Sequence, residues 1–165
     1  MAREPVIIRQ SAGLSLGYYG GLCVAVTSGG ALSEELAATR TALRRLSEAW
    51  HHNVAFLWVL APGCAVPQPG AAPASADLGM DVRTYARAVA LCPLQPSMAT
   101  WAWCTAFAEQ VGPEPPGRVF ATVPEATGWL TAMAAARGHG TLPPAELSAA
   151  FVERLQPTPG FDLTV

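Results

Sequence analysis

The chain contains no lysine, and charged residues of either sign are scarce. All ten basic residues are arginine, only 13% of the 165 residues are charged, and the formal net charge is −2. Arg40, Arg44 and Arg45 form the one local basic group, so the sequence has no polybasic stripe for phosphate backbones or anionic headgroups. This composition argues against nucleic-acid binding and against electrostatic attachment to a membrane surface.

Two kinds of hydrophobic segment are also missing. No apolar run approaches the about 20 residues that a membrane-spanning helix needs. The longest candidate, SMATWAWCTAFAEQV at 97–111, is too short and carries a carboxylate near its end. The first 21 residues lack the basic start, the continuous apolar stretch and the small-residue cleavage site of a signal peptide. We therefore expect a cytoplasmic protein that does not insert into membranes.

The cysteines and histidines lack the spacing of a metal or redox site. The four cysteines form no C-x-x-C pair, and each stands among apolar neighbours, where cysteine usually behaves as a small buried hydrophobe. They are Cys23, Cys64, Cys92 and Cys104. Adjacent His51 and His52 diverge on a helix and His139 is distant in sequence, so we predict no metal and no cofactor. A Cys64 nucleophile beside a histidine is an open alternative, although no G-x-C-x-G turn surrounds it.

The first half of the chain predicts two antiparallel strands, a helix and a central strand. VIIRQ at 6–10 and LCVAVT at 22–27 are rich in β-branched residues, with a glycine-rich turn region between them. Leu36, Leu43 and Leu46 share one face of a helix over 33–49, which begins at a serine followed by two glutamates. VAFLWVL at 54–60 is continuously apolar, which is typical of a strand covered on both faces by helices.

The second half continues the alternation of helices and strands. Residues 62–76, PGCAVPQPGAAPASA, predict an exposed loop because proline, glycine, alanine and serine dominate them. Beyond that loop the patterns predict a short helix at 77–86, a strand at 87–93, a helix at 98–111, a strand at 118–122, a helix capped by Thr122 and Glu125, and a last helix from Pro143.

These elements predict a single α/β domain. The order β-β-α-β-α-β-α-β-α indicates a mixed, mainly parallel sheet with helices packed across it. The length suits one domain, with residues 1–140 as its body and 141–165 as a helix and tail packed on it. Asp77 and Asp81 would share one face of the short helix. We expect this face to be exposed to solvent, with Arg83 nearby.

The pattern resembles the STAS superfamily, the sulfate-transporter and anti-sigma-factor-antagonist domains found in bacteria. The likeness covers roughly residues 5–136, and its most specific part is the strand running into a capped helix, RVFATVPEATGWL at 118–130. In regulatory members of that family a serine after the central strand is phosphorylated and a partner is released. The resemblance implies Ser75 as the phosphoacceptor, although the D-S-[ST]-G signature is absent from this loop.

Three functions follow from this sequence reading. The first is a non-enzymatic regulatory or scaffolding domain that binds another protein, with Cys64, Asp77 and Asp81 in the partner-binding or ligand-binding loop. The second is a small-molecule or lipid-binding module with an apolar pocket near 62–76. The third is the enzyme built on Cys64. The opening strands also predict homodimerisation through an edge strand.

Overall fold

A computed structural model describes residues 4–29, 33–64, 66, 72–138 and 142–156. The described residues form six strands and five helices. In chain order they are β1 (Val6–Gln10), β2 (Leu14–Tyr19), β3 (Leu22–Thr27), α1 (Ser33–Ala49), β4 (Val54–Leu60), α2 (Ala72–Tyr85), β5 (Ala86–Pro93), α3 (Met98–Val111), β6 (Gly117–Val119), α4 (Val123–Ala136) and α5 (Ala145–Leu155).

The six strands form one sheet in which sequence order is also spatial order, β1-β2-β3-β4-β5-β6. β1, β2 and β3 are antiparallel neighbours, whereas β3, β4, β5 and β6 run parallel. The register is regular at the centre, where Val24 lies opposite Leu57 and Leu57 opposite Ala90. The predicted α/β fold, with a mixed and mainly parallel sheet, is confirmed.

Helices cover the sheet on both faces. α1, α2 and α3 follow the parallel strands and pack on one face with Phe56 and Trp58 of β4. α4 and α5 pack on the other face with Leu57 and Val59. Because successive side chains of a strand point to opposite faces, both sets of positions in β4 must be apolar. This arrangement explains the unbroken apolar run at 54–60, in which every residue is buried.

An aromatic cluster fills the space between the sheet and α3. The Trp58 ring meets Trp103 edge-on at 5.4 Å between centroids and Phe107 at 5.5 Å. Such edge-to-face pairs stabilise beyond the area that they bury. The Trp58 Nε1–H donates to Thr27 Oγ1 at 3.1 Å, so the buried indole keeps a hydrogen-bond partner.

Two helix starts follow the capping signals in the sequence. Ser97 accepts from the Thr100 N–H at the start of α3, and Thr122 accepts from the Glu125 N–H at the start of α4. Each side-chain oxygen satisfies one of the amide groups that the first turn of a helix leaves without a partner. The predicted beginnings of both helices are therefore confirmed.

The sequence reading missed one strand and misplaced one helix boundary. Residues 14–19 form β2, with Gly17 inside the strand and only Gly20–Gly21 as its hairpin turn, so the glycines that suggested a long turn do not mark one. The loop predicted over 62–76 is wrong for 72–76, which are the first turns of α2. Alanine favours a helix and Pro73 is tolerated in a first turn, so this composition is compatible with a helix. Residues 65 and 67–71 lie outside the described part of the chain.

β1 is one edge of the sheet and the least buried strand. Val6, Ile7 and Ile8 are 39%, 41% and 46% exposed. The pairing with β2 shifts between Ile7 and Arg9, and a bulge of this kind disrupts regular pairing on an edge strand. Homodimerisation through an edge strand stays a prediction.

α5 covers the second face of the sheet over β2 and β3. Its Phe151 is buried and packs edge-on against Tyr19 at 6.0 Å. The ring lies over Gly17 of β2, where a Cβ atom would come within 2.8 Å of Phe151 Cζ and 2.7 Å of the Val6 carbonyl oxygen. Glycine at position 17 therefore allows α5 to approach the sheet.

We predict opposite effects of the same substitution at two glycines. Gly17→Ala should destabilise the fold by about 1–3 kcal/mol, because the added methyl group overpacks the contact between β1, β2 and α5. Gly128→Ala, inside α4 with open space around the added methyl group, should stabilise it by about 0.5–1 kcal/mol. Urea denaturation of both variants measures the difference. A Gly17→Ala variant as stable as the wild type would contradict this account of α5 packing.

Candidate functional site

One cavity of the described residues lies where β4 and β5 end. It has a volume of about 530 Å³ and is open to solvent on one side. Leu60, Ala61 and Cys64 line it from the β4 side, and the segment from Pro93 to Thr100 lines it from the β5 side. The carboxyl ends of parallel strands are the usual place for ligand binding in open α/β sheets. This carboxyl-end pocket is the candidate functional site.

One hydroxyl group, that of Thr100, joins the two sides of the pocket. Thr100 Oγ1 lies 2.9 Å from Ser97 Oγ, and it donates to the Cys64 carbonyl oxygen at 3.4 Å. The segment after β4 is thus tied to the first turn of α3. The beginning of α3 was predicted, whereas its bond to Cys64 was not, because the two residues are 36 positions apart in sequence.

Cys64 lies at the base of the pocket and is only 6% exposed. Its Sγ is 3.7 Å from Thr27 Oγ1, the same oxygen that accepts from Trp58. Burial raises the pKa of the Cys64 thiol, the Glu35 carboxylate raises this pKa further, and the contact with Thr27 lowers it in part. The thiol is therefore protonated at neutral pH, which is the reverse of what an activated nucleophile needs.

His51 and His52 lie at the opposite end of β4 from Cys64. They precede the strand, whose seven residues span about 20 Å at the usual rise per residue. His52 Nδ1 is 2.8 Å from Ser47 Oγ, and the His52 carbonyl accepts from Arg87 Nε at 2.6 Å. The structure thus brings neither of these histidines to Cys64, and His139 lies outside the described residues.

Asp77 and Asp81 form a structural ion-pair network between α1 and α2. Arg40 donates to Asp81 at 2.8 Å and to Asp77 at 2.9 Å, and Arg44 contacts Asp81 at 3.0 Å. Both aspartates are therefore held by arginines of α1, and the solvated face expected from the sequence is wrong for the buried Asp81, whereas the Asp77 side chain is 46% exposed. The two carboxylates raise the pKa of Arg40 by hydrogen bonding and by charge, so the guanidinium stays protonated.

Ser75 lies in the first turns of α2 and is only 8% exposed. A kinase active site must enclose the hydroxyl that it phosphorylates, so modification of Ser75 requires these turns to open. Its role as a phosphoacceptor stays a prediction.

The described lining of the carboxyl-end pocket contains no Asp, Glu, His or Arg side chain. Within the described residues, no group of three or more His, Cys, Asp or Glu side chains could hold a metal ion. None of the described helices is long and apolar enough to cross a membrane. The pocket therefore offers hydroxyl, amide and apolar contacts rather than charged ones.

The first turn of α3 also carries exposed apolar residues, on a different side of the helix from Ala99 and Thr100, and one of them, Trp101, lines another cavity beside β6. Met98 is 91% exposed and Trp101 is 40% exposed, and both stand in the same turn as Ala99 and Thr100 of the lining. The segment MATWAWC carries no charge to mark an outer face, so the sequence does not indicate which residues of this turn are exposed. These two exposed residues are therefore the part of the site that sequence reasoning missed.

The chain matches no protein-family model, no curated protein and no solved structure. The resemblance to STAS domains accordingly stays a prediction, carried by the order of the elements and by the sequence motifs.

Removal of the two aspartates should separate their contributions to the network. Asp81→Ala should destabilise the fold by about 1–3 kcal/mol, because the largely buried Asp81 is the carboxylate that pairs with both Arg40 and Arg44, and its loss leaves the partly buried Arg40 with only the more exposed Asp77. Asp77→Ala should cost less than about 1 kcal/mol, because the Asp77 side chain is 46% exposed and its ion pair is screened. Denaturant midpoints measure both values, and equal losses would refute the central role of Asp81.

Alkylation with iodoacetamide should report the environment of Cys64. The other three cysteines are 0% exposed, so Cys64 should be alkylated first in the folded protein. Because burial raises its pKa, the rate should keep rising beyond pH 9.0, the ordinary thiol value, instead of levelling off there. Mass spectrometry at a series of pH values measures this. A plateau below that pH would show that the thiol is activated and would favour the enzyme hypothesis.

Proposed function

We propose that this chain is a non-enzymatic regulatory or scaffolding domain of STAS-like type that binds another protein at its carboxyl-end pocket. One observation carries the proposal: an open cavity of about 530 Å³, whose described lining has no charged side chain, reaches the first turn of α3, and this turn also exposes Met98 and Trp101. Aromatic residues and methionine are enriched at protein interfaces, and charged residues are depleted at interface cores.

The chemistry of the pocket favours binding over catalysis. General acid–base chemistry needs a titratable group near the reacting atoms, and the one such side chain in the described lining is the Cys64 thiol. Burial raises the pKa of that thiol, which disfavours the reactive thiolate. The hydroxyls of Ser97 and Thr100 bond to each other, and the structure brings neither His51 nor His52 to them.

The shape of the pocket suits an apolar side chain presented by a partner. Because the cavity is open on one side, a projecting side chain can enter while the surrounding partner surface covers Met98 and Trp101. A large side chain in a well-packed pocket is the usual form of an interface hot spot. Binding of this kind uses the carboxyl ends of β4 and β5 together with the first turn of α3.

A small apolar molecule in the same pocket is the second candidate function. The volume falls within the about 300–1,000 Å³ range of small-molecule sites. Such sites normally enclose most of their ligand, whereas this cavity is open, and for that reason we rank the protein partner first. Regulation through Ser75 belongs to the STAS-like part of the proposal and requires the start of α2 to open.

A pair of phenylalanine substitutions on α3 tests the site. Ala99→Phe fills the pocket, whereas Ala102→Phe adds the same ring at another exposed position of the helix, outside the pocket. We expect wild type and Ala102→Phe to capture one common partner from the native cell, and Ala99→Phe to lose about 90% or more of it, since a blocked hot spot costs at least about 2 kcal/mol.

Quantitative mass spectrometry of the captured proteins measures the outcome, with circular dichroism as the check that both variants fold. Identical partners for all three proteins would refute the pocket as the interface. If none of the three captures a partner, the small-molecule function becomes the better explanation.

A further inference from the structure

A second cavity, separate from the carboxyl-end pocket, lies between the edge of the sheet and α1. It has a volume of about 480 Å³. Leu16 and Tyr18 of β2 form its floor, Ile8 of β1 forms one wall, and Ala42 and Leu46 of α1 form the other. We call this cavity the β1–α1 groove.

The groove exists because the sheet extends beyond its helical cover. α1 packs mainly on β3, β4 and α2. β1 and β2 extend past it, so Ile8 is 46% exposed and Tyr18 is only partly covered, whereas Leu16 beneath them is buried. The small Ala38 and Ala42 on the adjacent side of α1 leave the groove wide. Its apolar lining resembles the inner surface of a binding site more than an ordinary protein surface.

The bulge in β1 directs two successive residues into the groove. Pairing with β2 skips Ile8 between Ile7 and Arg9, and both Ile8 and Arg9 line the cavity. Successive side chains of a regular strand would point to opposite faces. The bulge thus adds an apolar wall and a guanidinium at the same place, which is a common use of β-bulges near binding sites.

The charged groups that line the groove are all positive. They are Arg9 and Arg45, and no carboxylate belongs to the described lining. Arg9 donates to the exposed Glu34 at 3.1 Å. Arg45 is exposed and makes no ion pair with any described residue. A ligand that complements this lining has an apolar body and one negative group placed at Arg45.

We propose that the β1–α1 groove binds a single-chain anionic amphiphile, an alkyl chain with one carboxylate head. The chain lies along Ile8, Tyr18 and Ala38, above the buried Leu16, and the head is held by the Arg45 guanidinium. Arginine suits this role because its planar group donates two parallel hydrogen bonds to a carboxylate. The proposal is independent of the carboxyl-end pocket, because the two sites share no lining residue.

Calorimetric titration of the full chain with decanoate, below the concentration at which decanoate forms micelles, tests the proposal. We expect saturable binding, with decan-1-ol binding more weakly because it lacks the charge. Arg45→Gln should weaken decanoate binding about three- to tenfold, as expected for the loss of a partly screened charged hydrogen bond. Arg83→Gln is the matched control, because Arg83 is exposed and does not line the groove.

Ala38→Phe gives a second test that does not depend on charge. The ring should occupy the groove and abolish decanoate binding, and a circular dichroism spectrum like that of the wild type shows that the fold survives. The absence of saturable binding, equal binding of decan-1-ol and decanoate, or equal effects of Arg45→Gln and Arg83→Gln would each overturn the proposal. None of these outcomes bears on partner binding at the carboxyl-end pocket.

Discussion

Burial of β4 on both faces is the constraint on which the rest of the structure depends. A strand covered on each side by helices has no position for a polar side chain, and all seven residues of β4 are apolar. Its parallel neighbours β3 and β5 are also fully buried apart from Arg87. Because the chain reaches each parallel strand through a crossover helix, this burial also fixes where α1, α2 and α3 pack.

The same constraint places the polar chemistry of the protein at the ends and margins of the sheet. At the carboxyl ends of the parallel strands, the Thr27 hydroxyl accepts a hydrogen bond from the Trp58 indole. The Thr100 hydroxyl, which contacts Ser97, joins the segment after β4 to the start of α3. At the margin, charged groups gather where α1 meets α2. The two cavities occur where helical cover stops: one past the strand ends and one beside the edge strands.

The sequence predicts most of this fold because its signals are local. The apolar run at 54–60, the capping residues Ser97 and Thr122, and the amphipathic pattern of 33–49 each suffice to indicate one element. β2 was missed because Gly17 interrupts its β pattern, and the reason for that glycine is a contact with Phe151, far along the chain.

The candidate site was predictable only in part. The position of Cys64 after the central strand placed it correctly at the carboxyl edge of the sheet. The partners of Asp77 and Asp81 come from a helix about 40 residues earlier, because packing of α1 on α2 brings them together. The spacing of charged residues along α2 predicted instead that Arg83 lies beside the two aspartates. Contacts between distant segments cannot be inferred from spacing within one segment.

The division of the helices between the two faces also determines the order in which the chain can bury its core during synthesis. The helices of the first face are complete at Val111, whereas both helices of the second face lie in the last third of the chain, from Val123 onward. When only the first 120 residues have left the ribosome, the strands of the sheet are complete. Its second face, which includes Val24, Leu57 and Ala90, is not yet covered by helices. Exposed apolar faces of this kind are where chaperones act and where nascent chains aggregate. α4 and α5 thus protect a surface formed by strands that precede them in the chain.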